Sequence, residues 1–384
     1  MSRAIAALRL ATTVGLAVFA ARRLLLLLGA LARPRTDRDH RPDSLCVVVP
    51  ARNEAAVLDG TLAAVAKLRP AAPSVDVVLV NDGSSDETVS VMEHWCRTHQ
   101  NWKLVRLGSN GGKGRALNAG IAASPGSELI VTCDADVEPD PDSLVELVRP
   151  FAEPRVGAAG ALLWPRNADA SLVARYCALE LWQHQLVTSA GKARLGLNPP
   201  ALGWLACYRR VALEAIGGFP TESLGEDVEV TNALTHAGWE TRFVPAARVV
   251  SRVPERLPEY WRQHIRWSRG LFDAVPRGGH DPAVPRRRRL EAWLLATGYS
   301  DRILLASGTI MAARGAIGKW VPAGYVALTA VEALAALALA GHARDSPKFL
   351  ASAAAMFPVD VAASAVGTMS QLTRRARSWQ NRAQ

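Results

Sequence analysis

LCVVVPARNE (residues 45–54) and VDVVLVNDGSSDET (75–88) share one design: an apolar, β-branched run that breaks off into a polar tip. A run without strict alternation fits a strand buried on both faces, as in a parallel sheet. AAVLDGTLAAVAKL (55–68) follows the first with helical periodicity, and TVSVMEHWCRTH (88–99) continues the second from a start capped by Ser or Asp. WKLVRLGSN (102–110) reads as a third strand, GKGRALNAGIAAS (112–124) as a third helix, and ELIVTCDAD (128–136) as the next strand. Strand and helix alternate, which predicts an α/β domain with a mainly parallel sheet. In such sheets ligands bind beyond the carboxyl ends of the strands, where every polar tip here lies.

The tips carry the candidate chemistry. Asp134 and Asp136 stand one residue apart at the end of a buried run. On an extended segment they share a side and can converge. Two close carboxylates raise each other's pKa unless a cation neutralises them, and oxygen ligands suit Mg²⁺ or Mn²⁺. The plainer reading makes this a solvated turn in which Asp140 or Asp142 caps the following helix. Asp82 ends the second strand, either in an Asx-turn or as an acceptor for a base or ribose edge. SNGGKGRALNAG (109–120) surrounds Lys113 with glycines at a helix start, a cradle for phosphate that matches neither the P-loop nor the dinucleotide fingerprint. Glu226 and Asp227 open a helix running towards His236; acids there are ordinary dipole partners, or supply a general base. YWRQHIRWSRG (260–270) sets Gln263, Arg266 and Trp267 on about one helical turn, with donors suited to pyrophosphate and a ring suited to a sugar face.

Taken in order, VVVPARNE, VNDGSSDET, NGGKGRALNAG, CDADV, GWLACYRRVALEAIGGFP, GEDVEVT and QHIRW resemble family 2 of the inverting glycosyltransferases. Within it the likeness is to membrane-bound β-glycan synthases such as poly-N-acetylglucosamine, cellulose, chitin and hyaluronan synthases. It runs from about residue 46 to 270. The resemblance implies the GT-A fold, a nucleotide-sugar donor (a UDP-sugar such as UDP-N-acetylglucosamine or UDP-glucose) and Mg²⁺ or Mn²⁺. By that likeness Pro50, Arg52, Asn53, Glu54 and Asp82 hold the nucleoside, while Lys113 and Asp134 lie along the nucleotide sugar. Asp136 binds the metal and Asp227 is the base. Glu226, Gln263, Arg266 and Trp267 serve the diphosphate and the acceptor. The acceptor is a glycan or a lipid. Processive synthesis and transfer of one or a few sugars both stand, since 271–290 shows no counterpart of a gating loop. An inactive scaffold on the same fold is the reading from another class.

The 384 residues carry 45 Lys and Arg against 35 Asp and Glu, a net charge of +10. The arginines cluster at 33–41, 285–290 and 374–382, each beside an apolar segment, which favours a membrane over nucleic acid as the partner. Residues 4–33 are apolar but interrupted by Arg22 and Arg23, and fit a membrane helix over 10–32 or an interfacial anchor. Residues 319–341, with Glu332, and 349–372, with Pro358 and Asp360, are C-terminal spans; 290–312 carries three charges and lies in the interface. One N-terminal and two C-terminal spans put all three arginine clusters on the cytoplasmic side. The expected organisation is an anchor and basic linker (1–40), a cytosolic catalytic domain (41–275), and a basic linker with membrane helices (276–384) at the cell membrane. The five cysteines have no metal-ligand spacing and read as reduced, mostly buried thiols.

Overall fold

The computed structural model describes residues 3–32, 39–223, 225–274 and 300–372, with isolated positions 286, 289, 290, 293, 294 and 298. The three arginine clusters and the segment 271–290 lie largely outside the described residues. A 29-residue helix α1 (Arg3–Leu31) precedes the α/β domain. There follow β1 (Ser44–Ala51), α2 (Ala55–Val65), β2 (Ser74–Asp82), α3 (Thr88–Thr98), β3 (Trp102–Leu107), α4 (Lys113–Ala122), β4 (Leu129–Cys133), β5 (Glu138–Pro139) and α5 (Ser143–Val148). Next come β6 (Val156–Pro165), α6 (Leu172–Trp182), which runs through a π-helical stretch into α7 (Ala190–Leu195), then β7 (Leu205–Arg209) and α8 (Arg210–Ala215). The domain ends with α9 (Glu226–His236), β8 (Glu240–Ser251) and α10 (Leu257–Ala274), followed by α11 (Ser300–Ala313), α12 (Trp320–Leu339) and α13 (Ser346–Leu372).

One eight-stranded sheet has the order β3-β2-β1-β4-β7-β6-β8-β5. Strands β3, β2, β1 and β4 run parallel, β7 is antiparallel to β4 and β6, and β6 pairs with β8 in parallel. The unbroken apolar runs are explained by burial on both faces: odd positions of β1 (Leu45, Val47, Val49) join one core with α2 and α5, and Cys46 and Val48 join a second with α4. Strand order reverses between β1 and β4, and the tips of β1, β2 and β4 open at that switch point. All five cysteines are free thiols, four of them buried.

Among the described residues, three helices are long and apolar enough to cross a membrane: 5–31, 320–339 and 343–369. The charges that seemed to weaken them pair with one another. Arg23 reaches Asp301 at 2.7 Å and also Glu332, and its Nε donates to the Tyr325 hydroxyl (3.0 Å), which in turn donates to Asp301 at 2.7 Å. Helix α13 continues through Pro358, and Asp360 accepts hydrogen bonds from Tyr176 (2.6 Å), Tyr260 (2.8 Å) and Arg302. Helix α11 spans only 14 residues and packs against α1.

Candidate active site

The tip loops of β1 and β2 are stitched together. Asn53 takes a positive φ of 55° in the turn after β1; its N–H donates to Ser84 (3.1 Å) and its Oδ1 accepts from the Ser85 N–H (2.8 Å). The N–H of Glu54 donates to Thr88 (2.9 Å), and Asp86 accepts from the N–H groups of Thr88 (3.1 Å) and Ala55 (3.2 Å). The cap position of α3 is Glu87, without a side-chain cap bond, rather than the Ser or Asp expected; Asp86, one residue earlier, holds the N–H of Thr88 in an Asx-type turn. Pro50 is buried in β1, while Arg52, Asn53 and Glu54 are half-buried along the rim. Asp82 is fully buried. Its two oxygens accept from the N–H groups of Gly111 (2.8 Å) and Gly112 (3.0 Å), so its carboxylate shapes the glycine loop.

That loop delivers Lys113. Gly112 has φ 87°, a left-handed conformation that glycine adopts without strain, and α4 starts at the next residue. A side chain at Gly114 would put its Cβ 1.9 Å from the carbonyl of Pro220, so only glycine lets α4 approach the 218–221 loop. One turn on, Asn118 grips this loop with both ends of its amide: Nδ2 donates to the Phe219 carbonyl (2.8 Å) and Oδ1 accepts from the Phe219 N–H (2.9 Å). The loop leads into α9, so these contacts set Glu226 and Asp227 against Lys113.

The Lys113 ammonium lies 2.6 Å from Asp134 and 3.0 Å from Glu226. Asp134 is held by its N–H, which donates to the Trp204 carbonyl at 3.1 Å. The strand stops at Cys133 and residues 135–136 form a turn, which corrects the extended geometry expected for the pair. Burial still alternates: Ala135 is buried, its carbonyl accepting from Thr61 at 2.8 Å, and Asp134 and Asp136 are half-buried on either side. Asp142 occupies the cap position of α5, yet its side chain makes no cap bond and pairs with Arg69 on the surface.

Asp227 is oriented by two backbone donors, Gly203 N–H to Oδ2 (3.1 Å) and Val228 N–H to Oδ1 (2.8 Å). Burial, then the like charge of Glu226, push its pKa up to about 6, against the pull of Lys113. Glu226 moves the other way. Burial would raise it, but the Lys113 charge and hydrogen bond outweigh that and hold it below the usual carboxylate range. The Lys113 ammonium is correspondingly raised, burial notwithstanding, by Asp134, Glu226 and Asp227. Neighbouring acids pushed apart in this way divide into a fixed anion and a proton acceptor poised near neutrality.

Gln263, Arg266 and Trp267 lie on α10, which packs beside α9, and the positive charge of Arg266 is among those lowering Glu226. The carboxylates of the site are hard oxygen donors gathered at one sheet edge, and a lysine already supplies positive charge between two of them. That donor set fits a divalent cation of the Mg²⁺ or Mn²⁺ type. Three contributors are not evident from residue types alone. Gly203 offers its N–H to Asp227, Trp204 its carbonyl to Asp134, and Asn118 clamps the loop before α9; the glycine-tryptophan step and the asparagine one turn after Lys113 are their only sequence signals.

The chain matches the family described as "Glycosyltransferase like family 2" over residues 42–270. A probable glycosyltransferase of Bacillus subtilis, YdaM, is 32% identical over 228 residues, 58% of this chain and 54% of its own. An N-acetylglucosaminyltransferase of Sinorhizobium fredii is 31% identical over 243 residues, 60% of this chain and 58% of its own. A poly-β-1,6-N-acetyl-D-glucosamine synthase of Staphylococcus epidermidis is 27% identical over 226 residues, 59% of this chain and 54% of its own. The chain therefore spans little more than half the length of these relatives. Among solved structures, a mannosyltransferase from Pyrobaculum calidifontis in complex with GDP-Man and Mn²⁺ superposes with a TM-score of 0.67 at 24% identity, over 95% of this chain and 99% of that one. The fold is GT-A, with helical flanks.

Proposed function

The chain belongs to glycosyltransferase-like family 2, and from that premise we propose that it is an inverting, metal-dependent glycosyltransferase. It moves a sugar from a nucleoside-diphosphate donor to an acceptor hydroxyl, forming a β-linkage at a cytoplasmic membrane face. The observation that carries this is the junction of Lys113 with Asp134 and Glu226, next to a backbone-held Asp227 with a pKa near 6. In this reading Asp227 takes the acceptor proton, and the oxygen attacks the anomeric carbon on the face opposite the departing diphosphate. Each Asp227 oxygen already accepts one backbone N–H, which aims the remaining lone pairs at the acceptor. Lys113 and Arg266 meet the negative charge that develops on the diphosphate. A divalent ion held by Asp136, with Asp134 beside it, would supply further neutralisation of that leaving group. Asp82 acts on the nucleotide through the glycine loop, while Arg52, Asn53 and Glu54 line the nucleoside rim next to Pro50. Gln263 and Trp267 face the acceptor.

The names of the relatives favour UDP-N-acetylglucosamine as donor. Transfer of one or a few sugars to a lipid or short glycan, rather than processive synthesis, is favoured by the small helical bundle. Among the described residues it has three helices long enough to span, and interior positions are filled by ion pairs around Arg23. Labelled UDP- and GDP-sugars offered with Mn²⁺ to membranes containing the protein test the proposal, followed by sizing of the product. A labelled product is expected, and it should vanish with EDTA and in Asp136→Ala. Turnover that survives EDTA overturns the metal assignment, and no transfer from any donor overturns the activity.

A further inference from the structure

Helix α10 has two working faces. Gln263, Arg266 and Trp267 fall within one helical turn, and the charge of Arg266 acts on Glu226 of α9; Tyr260, His264 and Ser268 lie about a quarter-turn away, and α10 packs on α13. Contact there is close, for a Cβ at Gly367 of α13 would fall 2.5 Å from that of Ser268. His264 is buried at 1% exposure, and its Nε2 lies 2.7 Å from Oε2 of Glu180 on α6. The other oxygen of Glu180 meets Arg302 of α11 at 2.5 Å, and Arg302 reaches on to Asp360 of α13. Asp360 closes the ring by accepting from Tyr260, whose side chain stacks on His264 with centroids 3.8 Å apart. The next ring in this column is Trp267, 5.2 Å from His264. Burial would raise Glu180, but His264 and then Arg302 outweigh it and hold the carboxylate ionised, with a pKa of about 2.

The three groups Glu180, His264 and Asp360 have ligating atoms within 4.8 Å of one another, a spacing that would suit a metal. The guanidinium of Arg302 already bridges the two carboxylates, so the positive charge there is built in. The arrangement is a clamp. It fixes the rotation of α10 about its axis, and it takes its partners from α6, α11 and α13.

We propose that His264 is a positioning residue: held by Glu180, it sets the Tyr260–His264–Trp267 column so that Trp267 and Arg266 are presented to the donor diphosphate and acceptor. The helix that carries the diphosphate contacts is thereby set by how the C-terminal membrane helices sit. This rests on the glycosyltransferase reading for what Arg266 touches, but the placement of Trp267 can be read independently of it.

The full chain is labelled with 5-fluorotryptophan in detergent or nanodiscs, and the Trp267 fluorine line is identified as the one lost in Trp267→Phe. In His264→Ala this line should shift, and in His264→Gln, whose amide can still donate to Glu180, it should return towards wild type. In parallel, UDP with Mn²⁺ and uridine alone are titrated by calorimetry, with GDP and guanosine as a second pair. Because Arg266 acts on the diphosphate, His264→Ala should weaken the nucleoside diphosphate about tenfold, the scale of one displaced charge-assisted contact, and leave the nucleoside unchanged. An unmoved Trp267 line overturns the proposal, as does equal weakening of diphosphate and nucleoside. If the wild type binds neither diphosphate, the glycosyltransferase reading fails and the fluorine line alone decides the role of His264. Should His264→Ala not fold, Glu180→Gln is read the same way, with the same two outcomes.

Discussion

The molecule buries two groups of carboxylates around cations, and they are built on opposite rules. In the helical bundle Asp301 and Glu332 share Arg23, Glu180 and Asp360 share Arg302, and tyrosine hydroxyls donate to Asp301 and Asp360. At the sheet edge one Lys113 serves Asp134 and Glu226, while Asp227 relies on two backbone N–H groups and keeps a raised pKa. Carboxylates that each touch a guanidinium hold elements together; an acid that meets only backbone donors is held ready to take a proton or a cation. The desolvation penalty of buried ions makes both arrangements sensitive to removal of one partner, but with different readouts.

The largest effect should come from Asp227→Asn. It keeps the size of the side chain and removes the base proposed above, so turnover is expected to fall about 10²–10⁴-fold. Nucleotide binding, by calorimetry with UDP and Mn²⁺, should hold. The stability of this variant relative to wild type should also depend on pH. A carboxyl whose folded pKa is raised above its unfolded value is equally protonated in both states below about pH 4, and destabilises the folded form increasingly as pH rises through 6. The amide does not titrate, but its NH2 cannot accept the N–H that one Asp227 oxygen accepts, which is a constant cost. The variant should therefore start from a deficit at pH 4 and gain on wild type as pH rises to 7, by thermal unfolding. A difference that stays flat with pH would place Asp227 with the arginine-paired group.

In the bundle the order inverts. Arg23→Met leaves Asp301 and Glu332, each 3% exposed, without their shared cation, and stability should drop by about 3–5 kcal/mol. Adding Asp301→Asn and Glu332→Gln to the same chain should recover most of that loss, because the buried charges go together. Thermal unfolding of the single and triple variants in one detergent checks this, and a triple variant as unstable as the single one breaks the comparison.

These contrasts show what the sequence could reveal. Apolar runs ending in polar tips located β1, β2 and β4, because burial on both faces leaves an unmistakable composition; β3 lies at the sheet edge with Lys103 and Arg106 exposed, and its shorter run was still readable. The antiparallel partner β7 and the long β6 and β8 lie among alanines and glycines whose pairing depends on distant neighbours, and no local pattern announces them. Asp134, Lys113, Glu226 and Asp227 were legible as types at tips. That Lys113 joins Asp134 to Glu226 was not, since it depends on Gly114 and Asn118 docking α4 against the loop before α9. Arg22 and Arg23 read as interruptions of a helix because the partners of Arg23 lie 278 and 309 residues away.

A pH profile sharpens the site half of the comparison. The rate kcat/KM should fall as pH drops through about 6, where Asp227 takes up its proton. Glu226 is the second cause of that raised value, after burial, and it also draws on the Lys113 charge. In Glu226→Gln both influences favour the Asp227 anion, so the acidic limb should move to lower pH even as the maximal rate falls. A limb that stays in place would mean that burial alone sets the Asp227 value.

The smallest effect calibrates both groups. Arg69 and Asp142 form the same kind of ion pair at 2.5 Å, but with side chains 65% and 61% exposed. Water solvates each partner before and after the contact is broken, and salt screens what attraction remains. Asp142 also makes no cap bond to α5, so its removal takes away no backbone partner. Arg69→Ala and Asp142→Ala should therefore each change stability by less than about 1 kcal/mol, and their double mutant should show almost no coupling. A loss as large as that of Arg23→Met would mean that distance rather than burial governs ion pairs in this chain, and would dissolve the distinction between its two acid clusters.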